Sequence, residues 1–249
     1  MNGLDICAGG GIGSAVWKEF GGRTVCYVER DPYCQRLLME RMADSAIPTA
    51  PLWDDLRTFD GEEWCGCVDF LFAGLPCQPY SVAGKQLGAA DPRDLWPDFV
   101  RVLREVRPAI ALLENSPRVV THPDGLDRWG RDLAESGYVA EWDCISAAAI
   151  GAWHGRNRLW LVAYAEGQSL GAGLCESEQA GQRGRRLGDG DSAGNWWAAE
   201  PDVGRVADGV ARRVDRLRVL GNGWVPQVAA VVMARCAELL GATLMEAAE

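Results

Sequence analysis

The sequence has only two histidines among its 249 residues, and its nine cysteines follow no regular spacing. The pair Cys65-Gly66-Cys67 lacks the gap that is typical of zinc ligands. No run approaches the roughly 20 consecutive apolar residues of a membrane span, and no basic, then apolar leader precedes the strand-like run that begins at Gly3. We therefore expect reduced thiols, no metal, no membrane association and a cytoplasmic location.

The chain carries a formal net charge of −10, which disfavours binding to a phosphate backbone. Its arginines, however, are concentrated in the later part of the sequence. These arginines are Arg156, Arg158, Arg183, Arg185, Arg186, Arg205, Arg212, Arg213, Arg216 and Arg218. Two interpretations stay open: a basic face on an acidic body, or an arginine-rich surface that is simply solvated.

Apolar runs of strand length alternate with segments of helical period through the first two-thirds of the chain. The predicted strands are Leu4–Cys7, Thr24–Val28, Val68–Phe72, Ile110–Leu113, Val139–Ile145 and Leu159–Ala163. The predicted helices are Gly13–Phe20, Pro32–Met42, Leu95–Val106 and Leu126–Glu135. This alternation predicts an α/β fold with a mostly parallel sheet and helices on both faces. Such sheets bind ligands at the carboxyl ends of their strands.

The composition changes sharply from Glu166 to about Asn195, where glycine, serine, glutamine and arginine predominate without helix or strand period. We interpret this segment as an insert or a mobile lobe. Apolar residues return later and mark one face of a closing helix: Val225, Val228, Val232, Cys236 and Leu239. The expected division is a main domain over residues 1–163, a small irregular lobe over 164–204 and a return segment over 205–249.

A glycine-rich turn joins the first predicted strand to the first predicted helix. It reads Asp5-Ile6-Cys7-Ala8-Gly9-Gly10-Gly11-Ile12-Gly13, and Glu29 ends the next strand. Glycines let a ligand approach the backbone, and an acid about 20 residues on can hold both ribose hydroxyls. The pattern predicts a nucleoside-containing cofactor, with a purely structural turn as the alternative. Asp55 is a candidate acceptor for an adenine amino group or, equally, a helix cap.

Cys77 lies in the loop Ala73-Gly74-Leu75-Pro76-Cys77-Gln78-Pro79-Tyr80-Ser81, directly after a predicted strand. Prolines on both sides stiffen the loop at the carboxyl edge of the sheet, where a thiol can be presented in a fixed position. These features predict a nucleophile. A buried structural role is the alternative, and it is the better interpretation for Cys7, Cys26, Cys144 and Cys236.

Two further groups complete the pattern of candidate functional residues. Glu114-Asn115 ends an apolar strand, where apolar surroundings raise a carboxyl pKa and suit it to engage a ring nitrogen near neutral pH. Arg156 and Arg158 are two apart in an extended segment, so their side chains point to the same side. They can grip a phosphate or a base carbonyl, although a surface pair is the alternative.

In this order, the motifs resemble those of the DNA cytosine-5 methyltransferase family, of the bacterial or phage type with a short target-recognition region. The matching segments are the turn at residues 5–11, Glu29, Asp55, Pro76-Cys77-Gln78, Glu114-Asn115, Arg156-x-Arg158 and Leu220-Gly221-Asn222-Gly223-Trp224-Val225-Pro226. The resemblance covers nearly the whole chain except about 164–204. It implies a Rossmann-like S-adenosylmethionine-dependent methyltransferase fold with a small target-recognition lobe.

The resemblance also implies a reaction. In this family a cysteine thiolate adds to C6 of cytosine, a glutamate engages N3, and C5 accepts the methyl group of S-adenosylmethionine. By resemblance Cys77 is the nucleophile, Glu114 the acid at N3 and Arg158 the donor to the cytosine carbonyl, while Arg156 orders the loop and phosphates. Loss of the C5 proton then releases the cysteine, and the cofactor leaves as S-adenosylhomocysteine. The target base must leave the stacked duplex.

The implied contacts and partners follow from the same resemblance. The cofactor contacts are Asp5, Cys7, Ala8, Gly9, Gly11, Glu29, Arg30, Asp55, Leu56, Pro76, Asn222 and Gly223. The DNA contacts are Gln78, Ser81, Lys85, His154, Arg183, Arg185 and Arg186, and Ser81–Arg93 is the expected closing loop. The implied partner is double-stranded DNA, bound by a monomer without a metal, and a cognate restriction endonuclease is an open possibility.

Some positions depart from the family pattern, and none of them removes a reacting group. They are Cys7 for phenylalanine, Ile12 for glycine, Arg30 for an apolar or aromatic residue, Ser116 for valine and His154 for glutamine. They put cofactor affinity and loop detail in question.

Three alternatives differ in class. A tRNA-methylating branch shares the chemistry, but Pro79-Tyr80-Ser81 resembles the DNA enzymes. A silent DNA-binding relative would have lost the cysteine or the glutamate. An NAD-dependent oxidoreductase is disfavoured by the glycine spacing and by the Pro-Cys-Gln loop.

The short recognition region leads to a prediction on specificity. About 30 glycine-rich residues, Glu166–Trp197, hold few bidentate base contacts, and most clustered arginines contact phosphate. We expect a short or degenerate site of about two to four specified bases and salt-sensitive affinity. Bisulfite sequencing of DNA from a host without its own cytosine methylation measures this, and a strict six-base site would contradict it.

Overall fold

The computed structural model of the protein describes residues 1–80, 87–165 and 213–246. Its strands are β1 (Asn2–Ile6), β2 (Arg23–Val28), β3 (Leu52–Trp53), β4 (Phe70–Gly74), β5 (Ile110–Asn115), β6 (Tyr138–Ser146) and β7 (Asn157–Ala165). Its α-helices are α1 (Ile12–Glu19), α2 (Pro32–Ala43), α3 (Trp96–Val106), α4 (Arg118–Thr121), α5 (Leu126–Glu135), α6 (Arg213–Asn222) and α7 (Pro226–Glu246).

The seven strands form one sheet in the order β3-β2-β1-β4-β5-β7-β6. The pairs among β1 to β5 are parallel, and β7 is antiparallel to both of its neighbours. The predicted α/β fold with a mostly parallel sheet is therefore confirmed. Tyr164 and Ala165 continue β7, so the sheet extends two residues beyond the expected end of the main domain at residue 163.

The central strands are apolar on both faces, which explains why helices cover both. Phe70 and Phe72 of β4 join one core cluster, whereas Leu71 and Ala73 of the same strand join the other. Because successive side chains of a strand point to opposite faces, this continuous apolar run requires two buried surfaces. Helices α3 and α5 cover the face that holds Leu71, and α1 and α7 cover the opposite face.

A cluster of aromatic residues anchors α3 to α5 beneath the site described below. The indoles of Trp96 and Trp129 stack with ring centroids 4.3 Å apart and planes 4° from parallel. Trp96 Nε1 donates to Asp132 Oδ2 at 2.6 Å, and Trp129 Nε1 donates to the hydroxyl of Tyr80 at 3.3 Å. Both indole N–H groups of this cluster therefore have a partner, and Tyr80 connects the cluster to the loop that follows β4.

Helix α7 is the predicted closing helix, and three of the five residues expected on its inner face are fully buried: Val228, Val232 and Cys236. Within the described residues, one stretch, Val214–Gly241, is long and apolar enough to cross a membrane, with a mean hydropathy of 1.2. Core helices of soluble proteins meet the same criteria, so this is weak evidence for a membrane span.

Of the cysteines expected to be structural, Cys26 and Cys236 are buried, whereas Cys7 and Cys144 are only half-buried.

The indole stack gives a prediction on stability. Trp129→Ala removes a side chain that is 1% exposed, together with its ring contacts to Trp96 and Tyr80. We expect the free energy of unfolding to fall by about 3–5 kcal/mol, the usual cost of deleting a large buried aromatic side chain. Trp142→Ala is the matched control, because this tryptophan is 43% exposed, and the change should be about 0.5 kcal/mol or less. Urea denaturation measures both changes. Equal losses of unfolding free energy in the two variants would show that the indole stack contributes no more to stability than an exposed tryptophan does.

Candidate active site

A cavity of about 440 Å³ opens at the carboxyl ends of β1, β4 and β5. The turn after β1, the loop after β4 and the end of β5 form one side of the wall. The start of β7 and the last residues of α6 form the other side. Parallel strands bring their following loops to one edge, which is why segments so distant in the sequence meet here.

The turn after β1 has the backbone conformation that its glycines allow. Gly9 and Gly11 have φ values of 55° and 72°, in the left-handed region where glycine has no steric penalty. A Cβ at Gly9 would meet only Cys7 O, at 3.9 Å, so this residue keeps space open beside the cavity. A Cβ at Gly11 would lie 2.9 Å from Leu38 Cδ2, so Gly11 serves packing against α2 instead.

Glu29, at the end of β2, joins this turn to the start of α2. Its Oε2 accepts from Gly9 N and its Oε1 from Asp31 N, both at 2.7 Å. Burial raises the pKa of Glu29, and these two backbone donors partly offset the rise. Each carboxylate oxygen can accept a second hydrogen bond, so Glu29 retains acceptor capacity beside the cavity.

A buried chain of hydroxyl groups ends on Asp5. Thr24 Oγ1 donates to Ser14 Oγ at 2.7 Å, and Ser14 Oγ donates to Asp5 Oδ2 at 2.6 Å. Burial raises the pKa of Asp5 to about 7, although the bond from Ser14 lowers it. Asp5 therefore lies in the cavity wall as a carboxyl group that titrates near neutral pH.

The loop that carries Cys77 is fixed by residues at the end of β5. Asn115 Nδ2 donates to Leu75 O at 3.2 Å, and Asn115 Oδ1 accepts from Ser116 N at 2.7 Å. Tyr80 N donates to Cys77 O at 3.0 Å and closes a turn around the cysteine. Cys77 is half-buried and lines the cavity together with Pro76. A thiol held between these supports meets a ligand in the cavity in a fixed position.

Glu114 is 6% exposed, and its Oε1 lies 3.0 Å from Nε of Arg158. Burial raises the pKa of Glu114 to about 7 and outweighs the opposing effects of Arg158 and Arg156. A carboxyl group with this pKa can give or hold a proton at neutral pH.

Arg156 is oriented differently from Arg158, although both line the cavity. Its Nη1 donates to Gly221 O and its Nη2 to Gly223 O, both at 2.7 Å. The sequence predicted that the two side chains point to the same side. In the structure, Arg158 contacts the acid and Arg156 contacts the turn after α6.

The remaining candidate residues divide into three groups. Ala8, Arg30, Gln78, Asn222 and Gly223 line the cavity. Asp55, Leu56 and His154 are not among its lining residues, and Asp55 instead caps the turn Leu56–Thr58 by accepting from Arg57 N at 3.0 Å. Leu56 is 2% exposed in the core. Ser81, Lys85, Arg183, Arg185 and Arg186 fall outside the described residues.

Several cavity residues were not predicted from the sequence. They are Gly10, Ile12, Asp31, Cys34, Arg57, Arg93, Arg218 and Trp224. Ile12 and Trp224 lie within motifs of the sequence analysis, so their positions in the sequence already indicated that they lie near the cavity. Asp31 follows Glu29 by two residues and could have been found as an N-cap. Arg218 and Arg57 have no local signal, because only tertiary contacts bring them to the cavity.

The strand order β3-β2-β1-β4-β5-β7-β6, with an antiparallel β7 and a cavity at the carboxyl ends of the parallel strands, is that of a Rossmann-like methyltransferase fold. The model of the C-5 cytosine-specific DNA methylase family matches residues 1–185, and the chain belongs to that family.

Individual relatives support the same assignment. The chain is 34% identical over 209 residues to the Type II methyltransferase M.NgoMIV of Neisseria gonorrhoeae, covering 79% of this chain and 62% of the relative. It is 35% identical over 166 residues to M.NaeI of Lentzea aerocolonigenes, covering 64% and 39% respectively. The chain thus spans less than two-thirds of the length of these relatives.

Solved structures share the fold at low sequence identity. A DNMT2 mutant of Spodoptera frugiperda has a TM-score of 0.55 at 20% identity, covering 68% of this chain and 51% of that one. A putative DNA modification methyltransferase encoded within an E. coli prophage has a TM-score of 0.50 at 18% identity, covering 66% and 47%. These similarities concern the fold alone.

The raised pKa of Glu114 gives a prediction on stability. In the unfolded chain this carboxyl group ionises near 4.5, whereas in the folded protein it holds its proton up to about pH 7. Between these values the unfolded state binds fewer protons, so the contribution of Glu114 to the free energy of unfolding falls as pH rises. The total loss is at most about 3 kcal/mol.

Urea denaturation of wild type and Glu114→Gln from pH 4.5 to 7.5 isolates this contribution. Asp5 titrates in the same range but is present in both proteins, so its effect cancels in the difference. We expect the wild-type advantage over the variant to shrink with rising pH, and parallel curves would show that Glu114 has an ordinary pKa.

Proposed function

We propose that this protein transfers a methyl group from S-adenosylmethionine to C5 of cytosine in double-stranded DNA, through a covalent adduct with Cys77. The observation that carries the proposal is the meeting of a half-buried cysteine and a buried glutamate with a pKa of about 7 in one cavity wall. Membership of the cytosine-specific family supports the choice of base and of DNA.

The residues of the cavity fit S-adenosylmethionine. Ribose hydroxyls are donors, and Glu29 offers acceptor oxygens that its two backbone donors leave available. The open space beside Gly9 lets a ligand approach the backbone closely. The carboxyl groups of Asp5 and Glu29 in the cavity wall suit the positive charge of the cofactor. When bound, the cofactor supplies the methyl group.

The residues of this chain supply the remaining chemistry. Glu114, protonated in part at neutral pH, gives its proton to cytosine N3, which makes C6 more electrophilic. The thiol of Cys77 loses its proton to solvent and its sulfur bonds to C6. After C5 has taken the methyl group, the C5 proton passes to solvent, the electron pair of the C6–S bond returns to sulfur, and N3 returns its proton to Glu114. Arg158 keeps Glu114 oriented by the 3.0 Å ion pair. We also assign to Arg158 the donation of a hydrogen bond to the cytosine carbonyl.

The cavity is deep in the sheet edge, so the target base must be flipped out of the duplex to reach it. The Type II relatives support a restriction-modification context. We propose DNA in the cytoplasm as the substrate, and a cognate endonuclease stays an open possibility. We propose a monomer that recognises a short site. Within the described residues, no cluster of histidine, cysteine or carboxyl side chains could hold a metal ion.

The covalent role of Cys77 has a direct test. DNA that contains 5-fluorocytosine cannot lose a proton from C5, so the adduct with Cys77 should persist and migrate as a protein–DNA complex under denaturing conditions. The adduct should disappear in Cys77→Ser. Cys34→Ser is the matched control, because Cys34 also lines the cavity but lies on α2. A normal methylation rate in Cys77→Ser would contradict the covalent role of Cys77. Transfer of a labelled methyl group to tRNA rather than to DNA would contradict DNA as the proposed substrate.

Substitutions of the two glutamates should affect different steps, methyl transfer in one case and cofactor binding in the other. Glu114→Gln removes the proton donor, so methyl transfer should slow by about 10²-fold or more while cofactor affinity stays nearly intact. Glu29→Ala removes the ribose acceptor and should weaken S-adenosylmethionine binding first. Calorimetry and single-turnover rates measure the two effects separately, and interchanged effects would show that the roles are assigned wrongly.

A further inference from the structure

Helix α6 leads directly to the turn Gly221–Gly223 in the cavity wall, yet burial anchors this helix weakly. None of its described side chains, residues 214–222, is fully buried, and Val214 is 79% exposed. A Cβ at Gly10 would lie 3.2 Å from Val219 Cγ1, so Val219 packs over the glycine-rich turn. A helix of ten residues is unstable by itself in water, so polar contacts must hold α6 in place.

The first polar contact joins α6 to the start of α2. Arg218 Nη2 lies 2.7 Å from Asp31 Oδ2. Asp31 is the N-cap of α2, since its Oδ1 accepts from Tyr33 N and Cys34 N. Its own backbone N donates to Glu29 Oε1. Arg218 thus fixes α6 to the residue that also supports the proposed ribose acceptor.

The second polar contact lies at the end of α6. The last carbonyl groups of a helix have no partner within the helix. The guanidinium of Arg156 satisfies Gly221 O in the last turn and Gly223 O just beyond it, at 2.7 Å each. A cation at this end also complements the helix dipole. Arg156, just before β7, therefore caps the end of α6.

From these contacts we infer that Arg156 and Arg218 are positioning residues for the cofactor, which dock α6 from two sides and hold Gly221–Gly223 against the cavity. This inference rests on the proposed function, because it takes S-adenosylmethionine as the ligand. It also assigns different roles to two neighbouring arginines. Arg156 acts on cofactor binding, whereas Arg158 acts on the base through Glu114.

Variants of the two contacts test the inference by calorimetric titration with S-adenosylmethionine. Arg156→Met loses two charge-assisted hydrogen bonds, so the Kd should rise about tenfold or more. Asp31→Asn loses the partly exposed ion pair with Arg218, and Arg218→Met loses this pair and the one with Asp215 within α6, so the Kd should rise about two- to fivefold in each. Asparagine caps a helix as well as aspartate, so Asp31→Asn keeps α2 intact. The double variant Asp31→Asn/Arg218→Met should bind no more weakly than the weaker single variant.

Two further arginine variants serve as controls. Arg235→Met removes an ion pair with Glu238 on α7, away from the cavity, and should leave both cofactor affinity and methyl transfer unchanged. Arg158→Met should leave cofactor affinity unchanged and abolish methyl transfer. In Arg156→Met and Arg218→Met, KM for the cofactor should rise more than kcat falls.

A second measurement uses the protein without cofactor or DNA. If Arg156 docks α6, amide hydrogen exchange over residues 213–222 should be faster in Arg156→Met than in wild type, while the strands keep their protection. Weak cofactor binding with unchanged exchange would overturn the positioning role in favour of a direct contact. If Arg156→Met binds the cofactor as tightly as the wild-type protein does, the inference is overturned. The proposed function is still supported in that case if the wild-type protein transfers methyl groups to DNA. A wild-type protein that binds no S-adenosylmethionine would overturn both.

Discussion

The pairing of β4 with β5 is the constraint on which the site depends. Its register places Gly74 opposite Glu114, so the loop that carries Cys77 leaves the sheet beside the strand end that carries the acid. On the other side of β5, Asn115 pairs with Leu159, which brings Arg158 to the same edge. Because both faces of these strands are buried, a slip of one residue would exchange the two apolar faces and is strongly disfavoured.

The same burial that fixes the register sets the chemistry of the carboxyl groups. Asp5 and Glu114 are both buried at the carboxyl edge of the sheet, and burial raises the pKa of each to about 7. Their surroundings differ, because Asp5 accepts from a hydroxyl group and Glu114 faces a guanidinium. Burial in an apolar sheet therefore creates two carboxyl groups that titrate near neutral pH. Their roles differ because one contacts a hydroxyl group and the other a guanidinium.

The cysteine loop combines local stiffness with tertiary support. Its prolines restrict the backbone whatever the surrounding structure, and this property is readable from the sequence. The amide of Asn115 and the aromatic cluster of Tyr80, Trp96 and Trp129 add supports from other elements. The loop is thus connected to the core on the face that α3 and α5 cover. Packing far from the thiol consequently contributes to its position.

The sequence by itself determined the fold class and predicted the reacting groups. Strand and helix periods depend on neighbouring residues, and the spacings around Glu29, Cys77 and Glu114 are local, so both could be predicted without a structure. Only the tertiary structure decided which residues complete the cavity. Arg156 bonds to Gly221, 65 residues away, and Arg218 pairs with Asp31 at the start of α2. Local patterns carry no information on such contacts, because they arise when the sheet brings distant segments to one edge and their polar groups must then find partners.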